Sequence, residues 1–152
     1  MSVEKSNVRP TSGPSRERTV SDSPKSKAQN PQSPLILIAE DDPKTLRLVG
    51  EVIQRGGYRA ALASHGLGAV KLLKRARPDL IILDLRMPRM DGFPLLELLK
   101  KYETSSSIPV VVLTGSTDLK DIDRALRLGI SDYLTKPISP RKLLTKVKEL
   151  LR

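Results

Sequence analysis

LIILDLRMPRMDG, the stretch from residue 80 to residue 92, carries the strongest indication of the fold in this chain. It begins with four aliphatic residues and places a carboxylate, Asp84, directly after them. A short aliphatic run of this kind is typical of a strand buried on both faces of a parallel sheet. A carboxylate suits such a strand only at its exposed tip, where something is gained from it. We therefore predict a central strand from Leu80 to Asp84 that ends on a functional side chain.

Three other apolar runs are each followed by a polar or charged residue that can act in binding or catalysis. LILIA precedes Glu40 and Asp41, VVVL precedes Thr114, and DYLT precedes Lys136. The runs alternate with amphipathic segments, a pattern typical of βαβ units and a parallel sheet. We predict an α/β fold with five strands, at Leu35 to Ala39, Arg59 to Ala63, Leu80 to Asp84, Val110 to Thr114 and Asp132 to Leu134. Since ligands of open α/β sheets bind at the carboxyl ends of the strands, that edge is the candidate active site.

Apolar residues at helical spacing predict five helices between these strands. Their positions are Leu46, Val49 and Ile53; a less regular stretch near Leu67 to Lys74; Leu95, Leu98, Leu99 and Tyr102; Leu119, Ile122 and Leu126; and Leu143, Val147 and Leu150. Gly56 and Gly57 are expected to end the first helix. Asp42 and Ser139 each precede a proline and are the expected N-caps of the first and last helices.

Composition restricts the function classes. The chain has no Cys, which excludes disulfides and thiolate metal sites. It begins without the apolar stretch of a secretory signal, and no apolar run approaches the roughly 18 residues of a membrane span. We therefore expect a cytoplasmic protein with no membrane partner. Residues 1–34 are rich in Ser, Pro and basic side chains without apolar periodicity, so we predict a disordered tail there and one folded domain over residues 35–152.

The net charge of +10 permits a nucleic-acid partner. However, the basic residues are dispersed along the chain, and only three Tyr and one Phe are present for stacking on bases. A solvated basic surface is therefore the favoured interpretation of the charge. Direct nucleic-acid binding remains the less favoured alternative.

The residues at the predicted strand ends suit phosphoryl chemistry. Asp84 can attack phosphorus and form an acyl phosphate. Glu40 and Asp41 beside it would concentrate negative charge, which a hard divalent ion such as Mg²⁺ would neutralise. Lys136 would supply a second cation and Thr114 a hydroxyl for the phosphoryl oxygens. Taken singly, these residues could instead be a helix cap, a strand threonine and a solvated lysine, but their joint placement at the strand ends favours a site.

The same motifs resemble response-regulator receiver domains of two-component signalling. The resemblance covers about residues 35–148 and rests on ILIAEDDP, LIILDLRMPRMDG, PVVVLTG and GISDYLTKPI, in the order of that family. It implies a (βα)5 flavodoxin-like, doubly wound sheet with strand order 2-1-3-4-5. It also implies that Asp84 accepts phosphate from a histidine kinase or a histidine phosphotransfer protein. The expected product is a phosphorylated signalling switch that can catalyse its own dephosphorylation, rather than a metabolic enzyme.

The resemblance assigns roles to individual residues. Glu40, Asp41 and Asp84 would bind Mg²⁺ together with the backbone carbonyl of Arg86. Thr114 and Tyr133 would form a coupled switch pair, and the bond from Lys136 to Pro137 would be cis. The switch would alter a surface built from the fourth predicted helix, the fifth strand and the last helix, and so control binding of a downstream protein or formation of a dimer. The Arg86 side chain would shield the phosphoryl group or pair with an acid across the mouth of the site.

Other functions fit the sequence less well. A phosphohydrolase of the haloacid-dehalogenase type would carry a second acid two residues after its nucleophile, but Arg86 stands there. A phosphorylation-independent interaction module with the same fold is the main alternative. Because the chain stops at Arg152, we expect a single-domain regulator whose output passes through a partner, self-association or the tail.

Overall fold

The computed structural model describes residues 30–87, 92–115 and 119–152. Most of the predicted tail lies outside these residues, so its disorder stays a prediction. The elements, in chain order, are β1 (Leu35–Ala39), α1 (Pro43–Arg55), β2 (Arg59–Ala63), α2 (Gly66–Arg75), β3 (Leu80–Asp84), α3 (Gly92–Lys101), α4 (Glu103–Ser106), β4 (Val110–Thr114), α5 (Leu119–Arg127), β5 (Asp132–Thr135) and α6 (Pro140–Leu151). Within the described ranges, no helix is both long enough and apolar enough to span a bilayer.

The five strands form one parallel sheet in the order β2-β1-β3-β4-β5. The predicted α/β fold and strand order are therefore confirmed. All five residues of β3 and of β4 are buried, because helices cover both faces of these inner strands. The strand bounds match those predicted, except that β5 continues by one residue to Thr135.

Two hydrophobic cores lie on opposite faces of the sheet. Alternate residues of β1 and β3, including Ile38 and Ile82, pack with α1 and α6. The residues between them, including Leu37 and Leu83, pack with α2, α3 and α5. Since successive side chains of a strand point to opposite faces, this alternation determines the face on which each strand-end residue begins.

The predicted helix signals are confirmed at both ends of the chain. The Asp42 carboxylate accepts a hydrogen bond from the Thr45 backbone N–H at 3.1 Å and caps α1. Ser139 caps α6 in the same manner through the Lys142 N–H. After α1 the chain turns at Gly57, whose φ of +94° is a conformation that glycine adopts without strain.

The predicted apolar stripes are wrong at three positions. Tyr102 lies beyond the end of α3, precedes the short helix α4, and is 53% exposed. On α5, Leu119 and Leu126 are 76% and 48% exposed, whereas Ile122 and Ala125 are buried. Helix α5 presents only a narrow face to the sheet, so helical spacing alone did not predict correctly that Leu119 and Leu126 are exposed.

Candidate functional site

The predicted site residues meet at one edge of the sheet. Asp84 and Thr114 end β3 and β4, while Glu40 and Lys136 directly follow β1 and β5. Because these four strands are parallel neighbours, their carboxyl ends lie side by side. The residues are therefore grouped although as many as 96 positions separate them in the sequence.

Three carboxylates form a cluster at this edge. Glu40, Asp41 and Asp84 each offer one carboxylate oxygen, and the three oxygens lie within 4.8 Å of one another. Glu40 is fully buried at 0% exposure, Asp84 is also buried, and Asp41 is partly exposed. Such concentration of negative charge is unfavourable unless cations accompany it.

Lys136 supplies a positive charge between two of these carboxylates. Its Nζ lies 2.9 Å from Oε1 of Glu40 and 3.1 Å from Oδ2 of Asp84. Burial by itself would lower the pKa of Lys136, but pairing with Glu40 and Asp84 outweighs burial and raises it. Lys136 is therefore a permanent cation of the site. The peptide bond that follows it, to Pro137, is cis, as the family resemblance implied.

Glu40 retains capacity to bind a cation. Its Oε2 accepts a hydrogen bond from the Asp42 backbone N–H at 2.9 Å. Among the described residues, Oε1 has an ion-pair neighbour in Lys136 but no hydrogen-bond partner of acceptable geometry. A buried carboxylate oxygen left in this state, next to two further carboxylates, fits the oxygen ligand set of a hard divalent cation.

Glu40 should make the stability of the metal-free protein depend on pH. Burial, reinforced by Asp84, raises the pKa of Glu40 from 4.5 to about 7, against the opposing effects of Lys136 and the Asp42 N–H. The folded state therefore holds this proton more tightly than the unfolded state. Its stabilising contribution is complete below about pH 4.5 and is lost as the pH rises through about 7. We expect Glu40 to reduce the free energy of unfolding by on the order of 1 to 3 kcal/mol between about pH 5 and pH 8.

Urea unfolding in chelator-treated buffer would measure this effect, with Glu40→Gln as the control. Asp42 and Asp132 do not contribute in this pH range, because their pKa values are lowered: a hydrogen bond from Thr45 lowers that of Asp42, and for Asp132 burial, which raises the pKa, is outweighed by hydrogen bonds from Lys146 and the Tyr133 N–H. The decline should be smaller in Glu40→Gln than in the parent. Parallel pH profiles for the two proteins would contradict the assignment.

Arg86, two residues after Asp84, makes two contacts. The Arg86 backbone N–H donates to Asp84 Oδ1 at 3.0 Å. The Arg86 guanidinium pairs with the Asp121 carboxylate of α5, one of the two arrangements expected for this side chain. Gly92 has no room for a side chain, since an added Cβ would lie 2.4 Å from the Asp84 carbonyl oxygen. Sequence analysis did not identify Asp121 or Gly92, because the role of Asp121 depends on α5 lying near Arg86 and the role of Gly92 depends on the start of α3 lying against the end of β3.

Thr114 and Tyr133 lie on the face of the sheet that packs against α2, α3 and α5, opposite the face of Ile82. Thr114 follows Val112 by two residues on β4, and Tyr133 is the register partner of Val112 on β5. Since alternate strand residues share a face, Thr114 and Tyr133 are diagonal neighbours on one face. Thr114 is buried and Tyr133 half-buried against the core beneath α5. The backbone connects this pair to the charged cluster, because the Lys136 N–H donates to the Thr114 carbonyl at 2.9 Å.

Two arginines connect α5 to neighbouring parts of the domain. Arg124 donates to Glu97 of α3 at 3.1 Å and places its guanidinium carbon 4.1 Å from the centroid of the Phe93 ring. Arg86 contacts α5 from the loop after β3. Only Ile122 and Ala125 of α5 are buried, so this helix makes a narrow apolar contact with the rest of the domain.

His65, which sequence analysis interpreted as a surface loop residue, has a local structural role. Its Nδ1 accepts a hydrogen bond from the Gly68 N–H at 3.1 Å, so the ring caps α2. The side chain belongs to the α2 terminus and is not part of the carboxylate cluster.

The fold and this strand-edge cluster define a receiver domain of two-component signalling. The chain matches the response regulator receiver domain family over residues 36–148 and belongs to that family. It is 38% identical over 122 residues to the transcriptional regulatory protein BaeR of Escherichia coli O6:H1, an alignment covering 79% of this chain and 49% of BaeR. The chain thus spans about half the length of the curated relatives that it matches first.

Solved structures show the same architecture. The signal receiver domain of a histidine kinase from Syntrophus aciditrophicus has a TM-score of 0.73 and 39% identity, covering 78% of this chain and 90% of that one. The receiver domain of the sensor histidine kinase PA1611 from Pseudomonas aeruginosa PAO1 has a TM-score of 0.72 and 28% identity, covering 78% and 98%. In that structure a magnesium ion is coordinated in the active site cleft.

Proposed function

We propose that this protein is a phosphorylation switch in which Asp84 accepts a phosphoryl group from the phosphohistidine of a histidine kinase or histidine phosphotransfer protein. The observation that carries the proposal is the contact of Lys136 Nζ with both Glu40 and Asp84 beside the three-carboxylate cluster. In the transfer, an oxygen of Asp84 bonds to phosphorus as the bond from phosphorus to the histidine nitrogen breaks. Lys136, already 3.1 Å from Asp84 Oδ2, can attract a phosphoryl oxygen.

We further propose that Mg²⁺ binds at this cluster, through Glu40, Asp41, Asp84 and the backbone carbonyl of Arg86. The three carboxylates offer oxygens within 4.8 Å of one another, and buried Glu40 Oε1, whose ion-pair neighbour is Lys136, has room for a further electrostatic partner, so the set fits a hard cation. When bound, Mg²⁺ would neutralise charge on the transferring phosphoryl group. The protein residues would keep the carboxylates close together and hold Lys136 as a fixed cation.

The proposed output surface is the face formed by α5, β5 and α6, called here the α5–β5–α6 face. Thr114 lies beside the site and Tyr133 lies farther along the same sheet face, so a shift of the Thr114 hydroxyl toward the phosphoryl group can reach the Tyr133 ring. Leu119 and Leu126 on α5 are exposed and suit contact with a partner protein or a second copy. We propose that phosphorylation changes what binds this face, in the cytoplasm, where phosphohistidine donors and Mg²⁺ are available.

NMR observation of Tyr133 tests the proposed switch. The purified protein is titrated with acetyl phosphate or a berylliofluoride salt, with and without Mg²⁺. We expect the Tyr133 resonances to shift only when Mg²⁺ and the phosphoryl group or its analogue are both present, because the ring adjoins Thr114 across β4 and β5. The shift should disappear in Asp84→Asn. Unchanged spectra under all conditions would favour the phosphorylation-independent interaction module.

A further inference from the structure

A cavity lies at the end of the sheet away from Asp84. It has a volume of about 270 Å³ and lies between α2 and the α3–α4 corner. Its lining includes Pro78 and Ile108, which precede β3 and β4, whereas Asp84 and Thr114 end those strands. The walls include Val70, Leu73, Leu98 and Leu99, so the interior is largely apolar.

The size of the cavity indicates what kind of molecule fits it. Pockets for small ligands and cofactors usually enclose roughly 300 to 1,000 Å³. At about 270 Å³ this cavity is below that range. It is sufficient for one or two apolar side chains of a protein, which is how anchor residues engage an interface.

The rim of the cavity is positively charged. Residues 70–78 read VKLLKRARP, with four basic residues and no acid. Lys74 and Arg77 line the cavity, and its described lining includes no carboxylate. Arg77 is held in place, since its Nε donates to the Thr104 carbonyl at 3.1 Å and its Nη2 to Ser107 Oγ at 3.2 Å. The rim therefore presents two cations to a negatively charged partner, of which Arg77 is oriented by its hydrogen bonds.

Tyr102 completes the rim. It lines the cavity and is 53% exposed, although sequence periodicity placed it among buried residues. Exposed tyrosines beside an apolar cavity are typical anchors of protein interfaces, because a rigid ring offers contact area at low entropic cost.

We propose that this surface binds an acidic, amphipathic segment of a partner protein. One or two apolar side chains of the segment would enter the cavity, and adjacent carboxylates would pair with Lys74 and Arg77.

The positive rim disfavours two other occupants. These are the chain's own residues 1–34, which carry six basic and three acidic groups, and a second copy of this chain, whose net charge is +10. A nucleic acid would satisfy the cations but leave the apolar interior empty. Since the cavity is at the opposite strand ends from Asp84 and its described lining includes none of the strand-edge carboxylates, we expect binding to the unphosphorylated protein.

Peptide selection tests this proposal even though the partner is unidentified. Random 12-residue peptides displayed on phage are selected on the full-length protein and counter-selected on the Tyr102→Ala, Lys74→Glu double variant. We expect the enriched sequences to combine Leu, Phe or Trp with flanking Asp or Glu. An enriched synthetic peptide should bind each single variant at least about 10-fold more weakly, because each variant removes an anchor contact or reverses a rim charge.

Controls separate this site from general charge effects and from the proposed phosphoacceptor. Lys148→Glu makes the same charge change on α6 and should leave affinity within about twofold. Asp84→Asn should also retain binding, and the cavity variants should retain Asp84 phosphorylation and thermal stability. The proposal is overturned if no peptide prefers the parent, if the enriched peptides are basic or insensitive to the variants, or if an oligonucleotide duplex competes with equal affinity.

Discussion

Asp84→Asn is expected to abolish phosphate incorporation from acetyl phosphate, with a reduction of more than about 100-fold, because an amide does not replace the carboxylate as the nucleophile. The fold should persist. The carbonyl oxygen of the introduced amide can still accept from one of the two donors that face Asp84, the Arg86 N–H or Lys136 Nζ, and removal of one charge relieves repulsion with Glu40, which offsets the lost bond. We expect the free energy of unfolding to change by no more than about 1 kcal/mol. Radiolabel incorporation and urea unfolding measure the two quantities.

Asp42→Asn is the matched control for this experiment. Asp42 is an exposed acid close to the cluster, and asparagine remains a good N-cap for α1. Incorporation should therefore stay near the parent level in Asp42→Asn. Phosphate retained in Asp84→Asn would place the acceptor at another residue and would contradict the proposed function.

The second large effect is expected from Lys136→Met, which keeps most of the length of the side chain but removes its charge. Glu40 and Asp84 would then be buried carboxylates without their shared cation. Removing one partner of a buried ion pair is strongly destabilising, and we expect a loss of about 3 kcal/mol at pH 8. Phosphorylation by acetyl phosphate should slow by about 100-fold or more, as on loss of a preorganised donor to a developing anion.

The pH dependence distinguishes this explanation from lost packing. The destabilisation by Lys136→Met should be smaller at pH 5, where Glu40 is protonated and less charge is left uncompensated. Lys142→Met, an exposed position on α6, should have little effect at either pH. Equal destabilisation at pH 5 and pH 8 would show that the methylene chain of Lys136, rather than its charge, is responsible.

The two variants act on different parts of one site. Asp84 provides the reacting oxygen, whereas Lys136 holds two carboxylates that would otherwise repel each other. Asp84→Asn should therefore lose chemistry and keep stability, while Lys136→Met should lose both. Measuring both quantities on each variant distinguishes the two roles.

The amino-acid sequence by itself determined the α/β class, the five strands and the residues at their tips. These features are encoded locally, because an aliphatic run such as Leu80–Leu83 and a polar residue at its end are recognisable without the rest of the chain. The caps at Asp42 and Ser139 are local for the same reason, since each bonds an amide three residues away. Strand order followed from the family resemblance, and the structure confirmed it.

Only the tertiary structure decided how these residues interact. Lys136 pairs with Glu40 across 96 positions of the sequence, and Arg86 pairs with Asp121 across 35 positions. The raised pKa of Glu40 likewise depends on burial and on residues distant in the sequence. The close contact of Gly92 with the Asp84 carbonyl depends in the same way on the path of the backbone. Helical spacing could not show that Tyr102, Leu119 and Leu126 face outward, because burial depends on which neighbouring elements cover a helix. The local pattern specifies each element, and the packing of distant elements sets the charge, burial and contacts of the site.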